Sequence, residues 1–105
     1  RLPSGLVLRA LRPGGAPLGP AARVQVRSQR ALGNGAAVDL APREEELALA
    51  SAPPCLREGL QRIGVGGQAR LHCPAALLYG DAGAPPLIPG GAVVVYTLEV
   101  LRVLP

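Results

Sequence analysis

At 105 residues the chain is sized for one small domain, residues 1–105, with a single core. Hydrophobic residues make up 49% and charged ones 17%, which excludes a disordered chain despite 14 Gly and 12 Pro. The formal charge of +4 is carried by scattered arginines with no stacking aromatics between them, so no nucleic-acid partner is expected, and no apolar run approaches the ~18 residues of a membrane span.

Residues 4–11 alternate weakly and read as a strand, closed by the turn-forming RPGGAPLGP. Residues 23–32 read as a second strand, with Val24, Val26 and Ser28 on one face and Arg23, Gln25, Arg27 and Gln29 on the other. Gly33-Asn34-Gly35 is a turn signal, because Gly and Asn tolerate positive φ. Glu44, Glu45 and Glu46 then read as a solvated loop leading into a short strand at 47–49. Adjacent carboxylates diverge on any regular element, so the three do not converge on one ion.

The spacing predicts a helix over 54–63. Pro54 suits its first turn, Leu56, Leu60 and Ile63 form one stripe, and Gly64 is placed for a left-handed cap. Gly59 inside that helix costs about 1 kcal/mol against Ala, which suggests a close neighbour. Residues 68–73 alternate again, with Ala69, Leu71 and Cys73 inward. The last strand places Val94, Tyr96, Leu98 and Val100 on one face. Cys55 and Cys73 fit no metal motif, and His72 points away from its neighbour Cys73, so no metal is expected and the cysteines read as free or buried thiols.

Several stretches carry a resemblance. Tyr79-Gly80, Ala84-Pro85-Pro86, Ile88-Pro89 and Ala-x-x-x-Tyr96-x-Leu-Glu-Val resemble the carboxy-terminal signature of the FKBP family, peptidyl-prolyl isomerases that also bind macrolides such as FK506. Asn34-Gly35-x-x-Val38-Asp39 is similar to the family's Asp-Gly-x-x-Phe-Asp. Pro54 to Leu60 stands at Pro-Gly-Trp-x-x-Gly-Leu, and Val65-Gly66-Gly67-x-x-Arg70-Leu71 also fits. The resemblance implies an α+β fold, an antiparallel sheet of five to six strands wrapped around one short helix. It implies no cofactor, and a protein or proline-containing peptide as partner.

Carried over residue by residue, the resemblance makes Tyr79 the hydroxyl donor to the substrate carbonyl and Asp39 the wall carboxylate. Val38, Leu56, Leu87, Ile88 and Tyr96 become the apolar substrate-binding wall. Without it, Tyr79 reads as a buried turn tyrosine and Asp39 as a turn-capping carboxylate. Ser28 replaces a Tyr, Val38 a Phe, Leu56 the floor Trp and Arg30 a Gly, while Pro53, beside the small Ala52, lacks the N–H that the family offers to ligand. Three aromatics of about 150–250 Å² each carry several kcal/mol of contact. The departures therefore imply an eroded pocket: a protein-binding or structural module, within a larger complex, with weak or no isomerase activity. The alternative is an active isomerase or folding factor.

The Ser4-Gly5-Leu6 lead-in is similar to FKBPs of bacteria and chloroplasts, and the chain begins at Arg1 rather than Met. Both suggest a cleaved precursor or a missing domain, and a plastid (thylakoid lumen) or bacterial-envelope location. Dominance of Ala, Gly, Pro, Arg and Leu fits a GC-rich genome.

Overall fold

A computed structural model describes residues 5–84 and 87–105; Arg1 to Ser4 and the Pro85-Pro86 pair of the loop motif lie outside them. Five strands form one sheet: β1 (Val7–Arg12), β2 (Arg23–Leu32), β3 (Arg43–Ala48), β4 (Gln68–Cys73) and β5 (Val94–Leu104). Their order is β1-β4-β5-β2-β3, and every neighbouring pair is antiparallel. The single α-helix of the described residues, α1 (Pro54–Ile63), packs on one face. This is the α+β arrangement expected from the sequence.

Period-2 alternation decides which face is covered. Val24, Val26 and Ser28 of β2, Ala69, Leu71 and Cys73 of β4, and Val94, Tyr96, Leu98 and Val100 of β5 are all buried under the helix. The helix answers with Leu56, Leu60 and Ile63, so the apolar stripe and the apolar sheet face close one core. Gly59 is where they approach most closely. A Cβ built there would lie 2.5 Å from Leu71 Cδ1, which accounts for a glycine in mid-helix. Gly64 ends the helix at φ 78° and ψ 169°, a positive-φ conformation that glycine permits but not the left-handed helical cap expected.

Two other expectations need correction. The acidic segment is not a loop before a short strand at 47–49: β3 runs Arg43–Ala48, and Leu49–Ser51 form a 3-10 turn. As an edge strand, β3 needs no apolar alternation. Glu44 and Glu46 face outward to Arg27 and Arg23, at 3.2 and 2.8 Å, whereas Glu45 lies opposite Val26 on the other face. The cysteines are buried as expected but are not free. Cys55 and Cys73 form a disulfide that ties the first turn of α1 to the end of β4, because packing brings their Cα atoms to 5.8 Å.

Candidate functional site

The site lies where the second half of β2, the start of β5 and the segment from Pro74 to Ala92 meet. An isolated bridge between Ala31 and Ala37 folds the turn back on β2 and delivers Val38 and Asp39 beside Arg30. The N–H groups of Val38 and Asp39 donate to the Arg30 carbonyl at 3.2 and 3.1 Å. Tyr79 follows the 3-10 turn Ala75–Leu77, and Gly80 closes it by donating to the Ala75 carbonyl at 2.7 Å with φ 61°. Tyr96 stands directly opposite Arg30 across the β2–β5 ladder.

Arg30 joins these groups. Its Nε and Nη2 donate to Oδ2 and Oδ1 of Asp39, both at 2.9 Å, and its backbone N–H donates to Oδ2 at 2.9 Å. Its Nη1 donates to the Tyr79 hydroxyl at 3.0 Å, and the Tyr79 and Tyr96 hydroxyls lie 3.2 Å apart. The side-chain exposure of Arg30 and Asp39 is only 17% and 9%, so water screens the pair weakly. Hydrogen bonds from Arg30 hold the Asp39 carboxyl below its ordinary range, and the same bonds to Asp39 hold the Arg30 guanidinium above its own. Burial, then the hydrogen bond with Tyr79, raises the Tyr96 phenol, which stays protonated at neutral pH.

A phenol oxygen has two lone pairs and one proton. When Arg30 and Tyr96 both donate to Tyr79, its acceptor sites are filled and its own O–H remains for an incoming carbonyl. Asp39 is met by three hydrogen bonds from Arg30 and ionised, so it holds Arg30 in place and is not poised to take a proton.

The expected apolar wall is divided. Val38, Leu56, Tyr96 and Ile88 are buried, with Ile88 fixed by reciprocal backbone bonds to Ala84 at 2.8 and 3.1 Å. Leu87 beside it is 56% exposed and does not join that buried wall. Ser28 is 1% exposed and its Oγ lacks a partner. Pro53 caps α1 at φ −55° with no N–H to donate, and the Ala52 N–H is committed to the Leu49 carbonyl at 3.3 Å.

The sequence reading missed that Arg30 organises the site. The signal was present: inward positions of β2 run Val24, Val26, Ser28 and then a charged residue. Glu45, on that same face of the sheet, adds a negative charge that acts on Tyr96. Clefts of about 180 and 330 Å³ lie instead on the outer face of the sheet, lined among others by Thr97 and Gln29. Among the described residues no three His, Cys, Asp or Glu side chains gather as a metal site, and no helix is long and apolar enough to cross a membrane.

The sequence profile of FKBP-type peptidyl-prolyl cis-trans isomerases matches residues 17–101. A probable FKBP-type 25 kDa peptidyl-prolyl cis-trans isomerase of Pseudomonas aeruginosa is 35% identical over 101 residues, 95% of this chain and 44% of that protein. The peptidyl-prolyl cis-trans isomerase FKBP15-1 of Arabidopsis thaliana is 40% identical over 62 residues, 59% of this chain and 40% of that one. The chain thus spans under half the length of these relatives. A crystal structure of a peptidyl-prolyl cis-trans isomerase from Pseudomonas syringae superposes with a TM-score of 0.87 at 28% identity, covering 99% of this chain and 79% of that one. FkpA from Escherichia coli gives 0.85 at 31% identity, covering 97% and 49%. With the profile spanning most of the chain and the sheet and helix reproduced, this protein belongs to the FKBP-type peptidyl-prolyl cis-trans isomerase family.

Proposed function

We propose that this chain binds proline-containing peptides at Tyr79 and accelerates their cis-trans isomerisation slowly. Rotation about a prolyl amide meets a barrier of about 18–20 kcal/mol, because twisting removes resonance. No nucleophile is needed. An apolar site favours the twisted amide, which carries less charge on its oxygen, and one fixed donor holds the substrate carbonyl. The single observation that carries this reading is the Arg30–Tyr79–Tyr96 hydrogen-bond chain, in which Tyr79 keeps its proton for the substrate when Tyr96 is the donor to it. The slowness follows from Val38, Leu56 and Ser28 standing where the family has aromatics, and from the absent N–H at Pro53.

Those substitutions also favour a second reading, a prolyl-binding or structural module of a larger complex with no turnover. The buried disulfide supports an oxidising compartment, in keeping with a thylakoid-lumen or envelope location.

Isomerisation of a proline-containing peptide, measured for the parent, Tyr79→Phe and Asp39→Ala, separates the two. Acceleration by the parent that falls in Tyr79→Phe supports the enzyme. A folded parent that binds the peptide without accelerating it leaves the module.

A further inference from the structure

Among the described residues the outer face of the sheet carries no helix, and six arginines project from it: Arg9, Arg12, Arg23, Arg27, Arg70 and Arg102. Arg12, Arg23 and Arg27 are neutralised by Glu99, Glu46 and Glu44. Arg9 and Arg70 stand directly opposite each other on β1 and β4 and have no carboxylate partner among the described residues. Like charges directly opposed across a ladder are destabilising, so the free protein holds an unrelieved repulsion there.

The same row continues through Thr97 to Gln29. Arg70, Thr97 and Gln29 line a cleft of about 330 Å³, with Val95 and Ala31 as apolar lining and the Gly33–Gly35 turn as a rim. His72 also lines it, and its Nδ1 is buried without a hydrogen-bond partner. Asp39 borders the cleft too, but its charge is already met by Arg30. One uncompensated guanidinium, that of Arg70, a hydroxyl and an imidazole therefore line a cavity of small-ligand size, with Arg9 across the ladder from Arg70.

We infer that this outer-face cleft is a second binding site, which takes the oxyanion group of a small phosphorylated or polycarboxylate molecule. Arg70 meets the anion, with the charge of Arg9 across the ladder behind it, and Thr97 and His72 complete its hydrogen bonds. Of the arginines on this face without a carboxylate partner among the described residues, Arg70 alone lines the cleft, which suits a single anionic group better than an extended phosphate backbone. Tyr79 does not line this cleft, although Arg30 and Asp39 border both sites, and the inference does not rest on the isomerase reading.

His72 is the sole histidine of the chain, so its ring resonances report the cleft alone. Inorganic phosphate and, separately, citrate are titrated at constant ionic strength while the His72 ring is followed by NMR. The expected result is a saturable shift that Arg70→Gln weakens about tenfold by removing a charge-assisted bond. Arg102→Gln, toward the far end of β5, leaves the affinity unchanged. Saturation by phosphate alone assigns a phosphorylated ligand, and by citrate alone a polycarboxylate. Thermal melting without ligand supplies the folding control: Arg70→Gln melts at or above the parent temperature, because repulsion is removed. A non-saturating drift with both anions, or an equal loss in Arg102→Gln, overturns the site.

Discussion

Arg30 and Asp39 meet edge to edge, guanidinium against carboxylate, with both contacts at 2.9 Å. Because the backbone N–H of Arg30 also donates to this carboxylate, one residue grips Asp39 from strand and side chain together. The Asp39 carboxyl is depressed in the folded state, so its stabilisation is fully present above the ordinary carboxylate range and is lost as pH falls through the depressed value. Urea midpoints measured against pH should separate the parent from Asp39→Asn by a constant margin near neutrality. That margin should narrow below about pH 4. A margin unchanged down to strong acid would mean that the pair adds nothing to stability.

Removing the carboxylate leaves Arg30 a nearly enclosed, unmatched cation. Asp39→Ala is expected to lose about 3 kcal/mol, the lower end of what a broken buried pair costs, since both side chains keep some water contact. Arg30→Leu should lose less, because the backbone N–H at position 30 still donates to the freed carboxylate. Chemical denaturation of the two variants tests the order.

The disulfide closes the segment from α1 through β4, with its cysteines 18 positions apart. A loop of that size constrains the unfolded chain by about 3 kcal/mol. Replacing both cysteines by Ala should lower stability by about that amount, and reductant should change the parent but not the double variant. Intact mass of the parent before and after reduction checks the bond directly.

Ser28 presents a hydroxyl to the core with no partner. An unsatisfied buried group costs about 1–3 kcal/mol, so Ser28→Ala should raise stability by about 1 kcal/mol. A fall on the same denaturation curve would show that the hydroxyl is satisfied in solution.

At Gly59 two effects compete. Ala gains about 1 kcal/mol of helix propensity. The new methyl would sit 2.5 Å from Leu71 Cδ1 and 3.0 Å from Cδ2, and Leu71 is fully enclosed. Overpacking of this kind costs about 1–3 kcal/mol, so the clash should win and Gly59→Ala should destabilise.

How much of this could be read in advance depended on burial. β2, α1 and β4 were legible with their bounds because each has one covered face and one wet one, which imposes a period on the residues. β3 was not, since its side chains are exposed or half-exposed and no period is imposed. Asp39 and Tyr79 were found through family motifs. Their partner Arg30 was visible only as a departure from the family's Gly, and its reach across to Asp39 and Tyr79 is a tertiary fact. The disulfide was hidden for the same reason: separation along the chain says little about which thiols the packing brings together. Leu87 and Ile88 show the opposite limit, for neighbours in sequence end on different sides of the surface.

The acidic run of β3 borders the sheet, leaving half of that strand's backbone donors and acceptors without a neighbouring strand. A second molecule could continue the sheet from this side by adding its own strand. With Glu44, Glu45 and Glu46 in succession, two such strands brought together would set carboxylates against carboxylates at the very spacing of a ladder. Three glutamates along this border thus weigh against edge-to-edge pairing of two copies, although Glu44 and Glu46 are already met by Arg27 and Arg23.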